Sequence, residues 1–292
     1  MRILVTGSGG FIGGHLACYL RDEGHDVAGY DLTCGQDILN KSQLEETFKT
    51  GRFDQVYHVA GQAFMKTGEN NPELDVSVNC LGMHYVLQMA LKHGCRLLYT
   101  SSGAIYGVTP DVPQKETSLP IPVSNYGCSK WFGETLLKKY VESSGLDAVF
   151  TRFSSVYGPK RKDGPINIFI QKALAGQPIT INGDGSHTRD YVHISDAIKG
   201  VEVVMMKGKP GECYNVASEV ETSVTQIADE ILRAIPRASV TYNRGYEYDR
   251  FDLARSFFDI GKARRLGYNP KTGLREGINK TILMEQELLG AK

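Results

Sequence analysis

The sequence has no Cys-x-x-Cys pair; its six cysteines, at 18, 34, 80, 95, 128 and 213, are scattered along the chain. That scatter argues against a zinc site or a disulfide framework and fits a reducing cytosol. No metal is expected, because no histidines or carboxylates are spaced as partners for one. Long apolar runs are also missing: none approaches the ~20 residues that span a bilayer. The apolar start, Met1 to Val5, is broken at once by glycines, which does not fit a signal peptide. A cytoplasmic protein without a membrane partner is therefore expected. Charge of one sign is lacking too, with 33 acidic and 33 basic residues, so nothing points to nucleic acid or an anionic surface. There is no internal repeat, no low-complexity segment and no linker composition to separate domains.

What is present is punctuated by glycine. Arg2 to Thr6 is a short apolar run of β character, followed by Gly7-Ser-Gly-Gly10-Phe-Ile-Gly13. Phe11, Ile12, Leu16, Tyr19 and Leu20 then repeat at helical spacing, and Gly24 suits the helix end. Strand, glycine turn and helix together favour a dinucleotide, because the backbone can approach a pyrophosphate seated at the helix N-terminus. The spacing is Gly-x-x-Gly-x-x-Gly rather than Gly-x-Gly-x-x-Gly, and an ordinary glycine-rich turn is the alternative. A second strand, Asp26 to Tyr30, ends in Asp31, about 20 residues beyond the glycines. A carboxylate there fits the adenosine ribose hydroxyls and repels a 2′-phosphate, which favours NAD over NADP. Asp37 and Ile38 could flank the adenine; a plain loop acid is the alternative.

Phe53 to Ala60 reads as a third strand, with Gly61-Gln62 at its end and His58 as a packed strand histidine. A helical stretch from about Pro72 to His93 carries Asn79 and Gly82. Arg96 to Thr100 is a fourth strand that runs into Ser101 and Ser102, and Asp147 to Phe153 is a fifth. Strands alternating with helices predict an α/β protein built on a doubly wound parallel sheet. Ligands of such sheets sit at the C-terminal ends of the strands, where the two serines fall.

Ser124 to Phe132 holds Tyr126 and Lys130 four residues apart. In a helix capped by Ser124 both side chains leave one face. Trp131, Phe132, Leu136 and Leu137 would supply its apolar face. A nearby ammonium favours the phenolate, so the pair is a possible acid/base device; a surface tyrosine and a solvated lysine are the alternative.

Beyond Pro159 the alternation is less regular. Helices are expected over Ile166 to Leu174, from Ser195 or Asp196, over Val224 to Ile235 and over Leu274 to Leu289. Short strands are expected at Pro178 to Asn182, Arg189 to His193, Tyr214 to Val216 and Ala238 to Tyr242. Arg189 and Arg250 could clamp a diphosphate; salt bridges with Asp190 and Asp252 are the alternative. Lys160-Arg-Lys162 reads as a solvated loop.

Taken together, the chain resembles the extended short-chain dehydrogenase/reductase family, within its nucleotide-sugar epimerase/dehydratase branch, and is UDP-glucose 4-epimerase-like. The resemblance is carried by Gly7-x-x-Gly10-x-x-Gly13, His58-x-Ala60, Asn79-x-x-Gly82, Ser101-Ser102-x-x-Ile105-Tyr106-Gly107 and Tyr126-x-x-x-Lys130. It continues through Arg152-Phe-x-x-x-Tyr157-Gly158-Pro159 and Gly183-Asp-Gly185-x-x-x-Arg189-Asp190 to Leu266-Gly267-Tyr268-x-Pro270. It implies a Rossmann domain over 1–157, to which 187–210 and 252–263 return, and a smaller interleaved α/β substrate domain mainly over 158–292.

The resemblance also implies roles. Ser102, Tyr126 and Lys130 would be catalytic, with Tyr126 the acid/base and Lys130 lowering its pKa. NAD contacts would come from Gly7, Gly10, Phe11, Ile12, Gly13, Asp31, Asp37 and Ile38. Further contacts would come from Ala60, Gly61, Gln62, Asn79, Ser101, Tyr126, Lys130 and Phe153. A nucleotide-diphosphate sugar, a UDP-sugar first, would meet Ser102, Gly103, Ser155, Arg189 and Arg250. The reaction implied is 4-epimerisation through a transient 4-keto sugar, in a homodimer. A dehydratase is disfavoured because Gly103-Ala104 replace the Asp-Glu pair that those relatives use. The rival enzyme is an NAD(P)H-dependent 4-ketoreductase, and a non-catalytic NAD-binding scaffold is the reading from another class. Ser155 stands where relatives usually carry asparagine, and Ala63 where some glucose/galactose epimerases carry lysine.

Overall fold

The computed structural model describes residues 1–248 and 253–290. The first half runs β1 (Arg2–Thr6), α1 (Phe11–Asp22), β2 (Asp26–Tyr30), α2 (Lys41–Gly51) and β3 (Gln55–His58). Two short helices follow, α3 (Met65–Asn70) and α4 (Pro72–Asp75), then a π-helical segment, Val76–Gly82, that leads into α5 (Met83–His93). Next come β4 (Arg96–Ser102), α6 (Asn125–Ser144), β5 (Ala148–Phe153) and β6 (Ser155–Tyr157). The second half adds α7 (Pro165–Leu174), β7 (Ile179–Asn182), β8 (Thr188–His193), α8 (Ile194–Lys207), β9 (Cys213–Val216) and β10 (Glu221–Ser223). It ends with α9 (Val224–Ala234), β11 (Val240–Asn243), β12 (Arg255–Ser256), α10 (Gly261–Leu266) and α11 (Leu274–Gly290).

The main sheet has six strands in the order β2-β1-β3-β4-β5-β9, every neighbouring pair parallel. Its centre is apolar on both faces. Ile3 and Val5 point to one side and Leu4 to the other, all fully buried. A strand sandwiched by helices reads as a continuous apolar run, which is how Ile3 to Val5 reads. Leu16, Ala17 and Leu20 of α1 and Ala197, Val201 and Val204 of α8 cover one face. Leu44 and Phe48 of α2, Val86 and Leu87 of α5 and Leu137 of α6 cover the other. The sequence-expected α/β class and doubly wound parallel sheet are what the chain forms.

The chain runs from β1 to β2 on one side and then to β3 on the other. That reversal opens a crevice at the strand C-termini, the usual ligand seat of such sheets. A second apolar core lies beyond it. It packs Ile166, Phe169 and Ile170 of α7, Ile179 and Ile181 of β7, Ile227 and Ile231 of α9, and Ile278 and Ile282 of α11. β8 pairs with β6, β10 and β12 between the two cores and presents its own residues to the crevice.

Three local expectations differ from what forms. The stretch 72–93 is one continuous helical path, but its middle is π-helical around Asn79. α8 starts one residue early, at Ile194, because His193 Nδ1 accepts the Ser195 N–H at 3.3 Å. Of the four apolar residues expected to form the buried face of α6, only Leu137 is fully buried, whereas Trp131 and Phe132 are 41% and 49% exposed. The buried face of α6 is instead Gly127, Lys130, Gly133, Glu134 and Leu137, small and charged groups whose partners lie beneath them. Among the described residues no helix is long and apolar enough to cross a membrane.

Candidate active site

The glycine turn is built by close approach. Gly7 has φ of +74°, and a Cβ there would lie 2.6 Å from the Ala60 nitrogen. A Cβ on Gly13 would run into the Gly7 carbonyl oxygen. β1, β3 and the start of α1 therefore meet backbone to backbone. Gly10 precedes α1 with no side-chain cap. The first-turn N–H groups of that helix are left without intrahelical acceptors, a ready seat for an anion.

Asp31, at the end of β2, closes over the same turn. It accepts from Gly9 N–H at 3.0 Å and from the Thr33 N–H and hydroxyl at 2.8 and 2.7 Å. Burial opposes its charge, but these three donors hold the carboxyl below its ordinary range. Asp37 spends one oxygen on Leu39 N–H at 2.9 Å, and Ile38 is buried against Gly82. Both also line the cleft.

Ser124 caps α6 as expected, accepting the Gly127 N–H at 3.0 Å. Tyr126 and Lys130 leave the same face of that helix. Lys130 is buried and donates to the Thr100 carbonyl at 3.0 Å, with its ammonium 4.9 Å from the Tyr99 ring centre and 6.0 Å from that of Tyr126. Burial drops its pKa to about 8, against the pull of Asp75 and Glu134. The sequence expects Lys130 to lower the Tyr126 phenol, but burial is the largest influence on it. Burial raises Tyr126 above its ordinary value; the Ser102 hydrogen bond lowers it, Asp75 raises it and Arg161 lowers it. Ser102 is held in turn by the Ala104 N–H at 3.2 Å.

All these groups open into one cleft of about 830 Å³. Its walls also carry Gly61, Gln62, Ser101, Gly103, Phe153, Ser155 and Arg189. Asn79 stands behind the wall. Its amide accepts from Gln62 N–H at 2.9 Å and donates to the Gln62 carbonyl and the Ser129 hydroxyl at 3.0 and 2.9 Å. Asp190 is buried and accepts from Ser218 and Glu219 at 2.7 to 2.9 Å. Arg189 donates to the Thr188 carbonyl at 2.7 Å. Arg250 lies outside the described residues.

A family model described as the NAD-dependent epimerase/dehydratase family matches residues 3–217. The chain belongs to that family. Its curated relatives include the UDP-glucose 4-epimerase of Mycolicibacterium smegmatis, 33% identical over 311 residues and covering 97% of each chain. A similar solved structure is the Thermotoga maritima UDP-glucose 4-epimerase with UDP-glucose, with a TM-score of 0.93 and 30% identity. The match covers 99% of this chain and all of that one. The Thermus thermophilus UDP-glucose 4-epimerase in complex with NAD gives 0.89 at 30% identity, over 98% and 99% of the two chains.

The residues of this family member fit NAD. The glycine cradle would be filled by any Cβ, and the Ser101 hydroxyl on the cleft wall is buried without a partner among the described residues. Two further residues bear on the site, one from the stretch read as a solvated loop and one that the sequence did not single out. Arg161 lies on the wall rather than in a solvated loop, because Asp163 holds its fork at 2.9 and 3.1 Å over the Phe11 ring. Asp75 is buried next to Gln62. The Arg-x-Asp spacing at 161–163 was a legible signal for the first. Nothing in the sequence marked the second.

Proposed function

We propose that the protein is an NAD-dependent epimerase of a nucleotide-diphosphate sugar, inverting C4 of a UDP-hexose through a transient 4-keto sugar. The observation that carries this is the placement of Ser102, Tyr126 and Lys130 on one wall of a cleft whose other end is the glycine turn. NAD, when bound, supplies the hydride acceptor and donor. Gly7, Gly10, Phe11, Ile12 and Gly13 would hold its pyrophosphate and Asp31 its adenosine ribose, with Ser101, Gln62, Lys130 and Phe153 along its length. With NAD bound, its positive nicotinamide would join Lys130 and the Ser102 hydrogen bond in favouring the Tyr126 phenolate, which takes the proton of the sugar 4-hydroxyl and later returns it, with Ser102 holding the reacting oxygen. Arg189 and Ser155 anchor the diphosphate, so the keto sugar stays in the cleft while it turns over. Gly103 and Ala104, beside Ser102, cannot move a proton, so elimination of water has no carrier there.

On this reading residues 1–157, with returning segments from the second half, seat the cofactor, and the second core seats the nucleotide. Val76, Leu81, Trp131 and Phe132, all more than 40% exposed, would be covered in a homodimer. A cytoplasmic setting suits the six free cysteines.

A panel of nucleotide sugars incubated with the pure protein and followed by proton NMR tests the reading. Equilibration of a 4-epimer pair without added cofactor, by protein that purifies with an NAD absorbance, is the expected result. Protein that purifies empty and oxidises NADPH against a 4-keto sugar would make it a ketoreductase instead.

A further inference from the structure

Asp75 is 1% exposed, yet it is a carboxylate next to the proposed chemistry. A buried carboxylate is costly unless its lone pairs are used. One oxygen accepts from the Gln62 amide at 2.9 Å and lies 3.5 Å from the Asn79 amide. The other oxygen is buried with no hydrogen-bond partner among the described residues. It presses on Gly68, where any Cβ would overlap it, so α3 closes directly over the group. The bonds run onward: Gln62 to Asn79, Asn79 to the Ser129 hydroxyl, and that hydroxyl to the Tyr126 carbonyl at 2.9 Å. The chain thus joins Asp75 to the backbone of the residue that would move the proton.

We propose that Asp75 is a positioning residue for the reaction: its buried carboxylate clamps the Gln62–Asn79–Ser129 chain beneath Tyr126 and acts by its charge on Lys130. This rests on the epimerase reading for its consequence, but its electrostatic part does not. The four charged or titratable groups around Asp75 come from three elements. Burial raises the Asp75 pKa and the Gln62 hydrogen bond lowers it; Glu69 on α3 raises it further and Lys130 on α6 lowers it. Cys80 in the π-helical segment feels the Asp75 charge, as does the Tyr126 phenol. Of these, Lys130 is the attractive partner, and it stands beside the clamped chain: a Cβ on Gly61 would lie 2.9 Å from the Asn79 amide oxygen and 3.2 Å from the Lys130 nitrogen. The unpartnered oxygen makes charge, rather than further bonding, the way in which that side of the carboxylate contributes.

The test replaces Asp75 by asparagine, which keeps the acceptor for Gln62 and removes the charge. In NAD-loaded protein labelled at lysine Cε, the Lys130 resonance is assigned by its loss in Lys130→Arg. Its titration midpoint should fall by roughly half a unit or more in Asp75→Asn and recover in Asp75→Glu. Both limbs of the kcat/KM pH profile should move toward acid in the same variant, since the Asp75 charge also holds the Tyr126 phenol up and its loss lets that phenol fall. A midpoint and profile that stay in place, even with lowered turnover, would reduce Asp75 to a packing role and overturn the proposal. A midpoint that moves in protein that turns over no nucleotide sugar would keep the clamp and sink the epimerase reading. Melting curves and bound-NAD content check folding, and Asp75→Ser serves in the same measurements where asparagine is not tolerated.

Discussion

Lys130 donates its ammonium to the Thr100 carbonyl at 3.0 Å from a side chain that is 4% exposed. The bond fixes the end of the side chain between β4 and the cleft, but burial makes the charge costly. The fall from an ordinary 10.5 to about 8 corresponds to roughly 3 kcal/mol. Below pH 8 the folded protein must hold this lysine protonated against burial. That cost disappears as pH rises from about 8 toward 10.5. Lys130→Met should therefore abolish turnover and at the same time stabilise the fold at pH 7, by about 1–3 kcal/mol. Urea denaturation at pH 7 and at pH 9.5 checks this: the gain should shrink at the higher pH. In wild-type protein the alkaline limb of turnover should fall near pH 8.

Tyr126→Phe removes the proton carrier and leaves the ring. No contact in the glycine turn depends on the phenol, so NAD should stay bound while turnover falls by 10³-fold or more, the upper part of what a general acid/base contributes. Unchanged turnover would end the acid/base assignment. Absorbance of the bound cofactor and NMR turnover are both read on one preparation.

How much of this was legible in the sequence differs from element to element. The sheet was, because Ile3 to Val5 and Ala148 to Phe150 are buried on both faces and read as unbroken apolar runs. The glycine turn was, because backbone contact at Gly7 and Gly13 admits no side chain. The exposed Trp131 and Phe132 were not, because apolar spacing marks an amphipathic face without saying whether it meets the chain's own core. Nor was the raised Tyr126 phenol. Spacing put Lys130 one turn away, but the ammonium is aimed at Thr100, and burial is the largest influence on the phenol. Asp75 was illegible for a similar reason: its partners come from a loop, a π-helical turn and another helix.

Gly13→Ala should cost cofactor more than fold. The added methyl meets the Gly7 carbonyl oxygen, and only a shift of the turn relieves it. That shift moves the first-turn N–H groups away from a pyrophosphate. NAD affinity should drop at least tenfold, about 1.4 kcal/mol, while the melting temperature of cofactor-stripped protein changes little. Calorimetric titration of stripped protein separates the two effects.

Tyr126, Lys130 and Glu134 follow one another at single turns along α6. Glu134 anchors the series, meeting Arg152 of β5 through both oxygens at 3.0 and 2.7 Å with both side chains almost wholly buried. Arg152 also lies 4.8 Å from the centre of the Tyr106 ring. Removing one partner of such a pair strands the other charge, at about 3–5 kcal/mol. Glu134→Gln should therefore lower the unfolding free energy by that order. It also takes a negative charge away from Lys130 and moves the alkaline limb of turnover further below pH 8. Replacing Glu134 and Arg152 together by leucine and methionine should recover most of the stability, because no charge is then left unpaired. It should not recover the limb, because the charge acting on Lys130 is still absent. Denaturation midpoints and pH profiles of the single and double variants separate the two roles: a limb that returned with stability would show that Glu134 acts by holding α6 in place, and not by its charge.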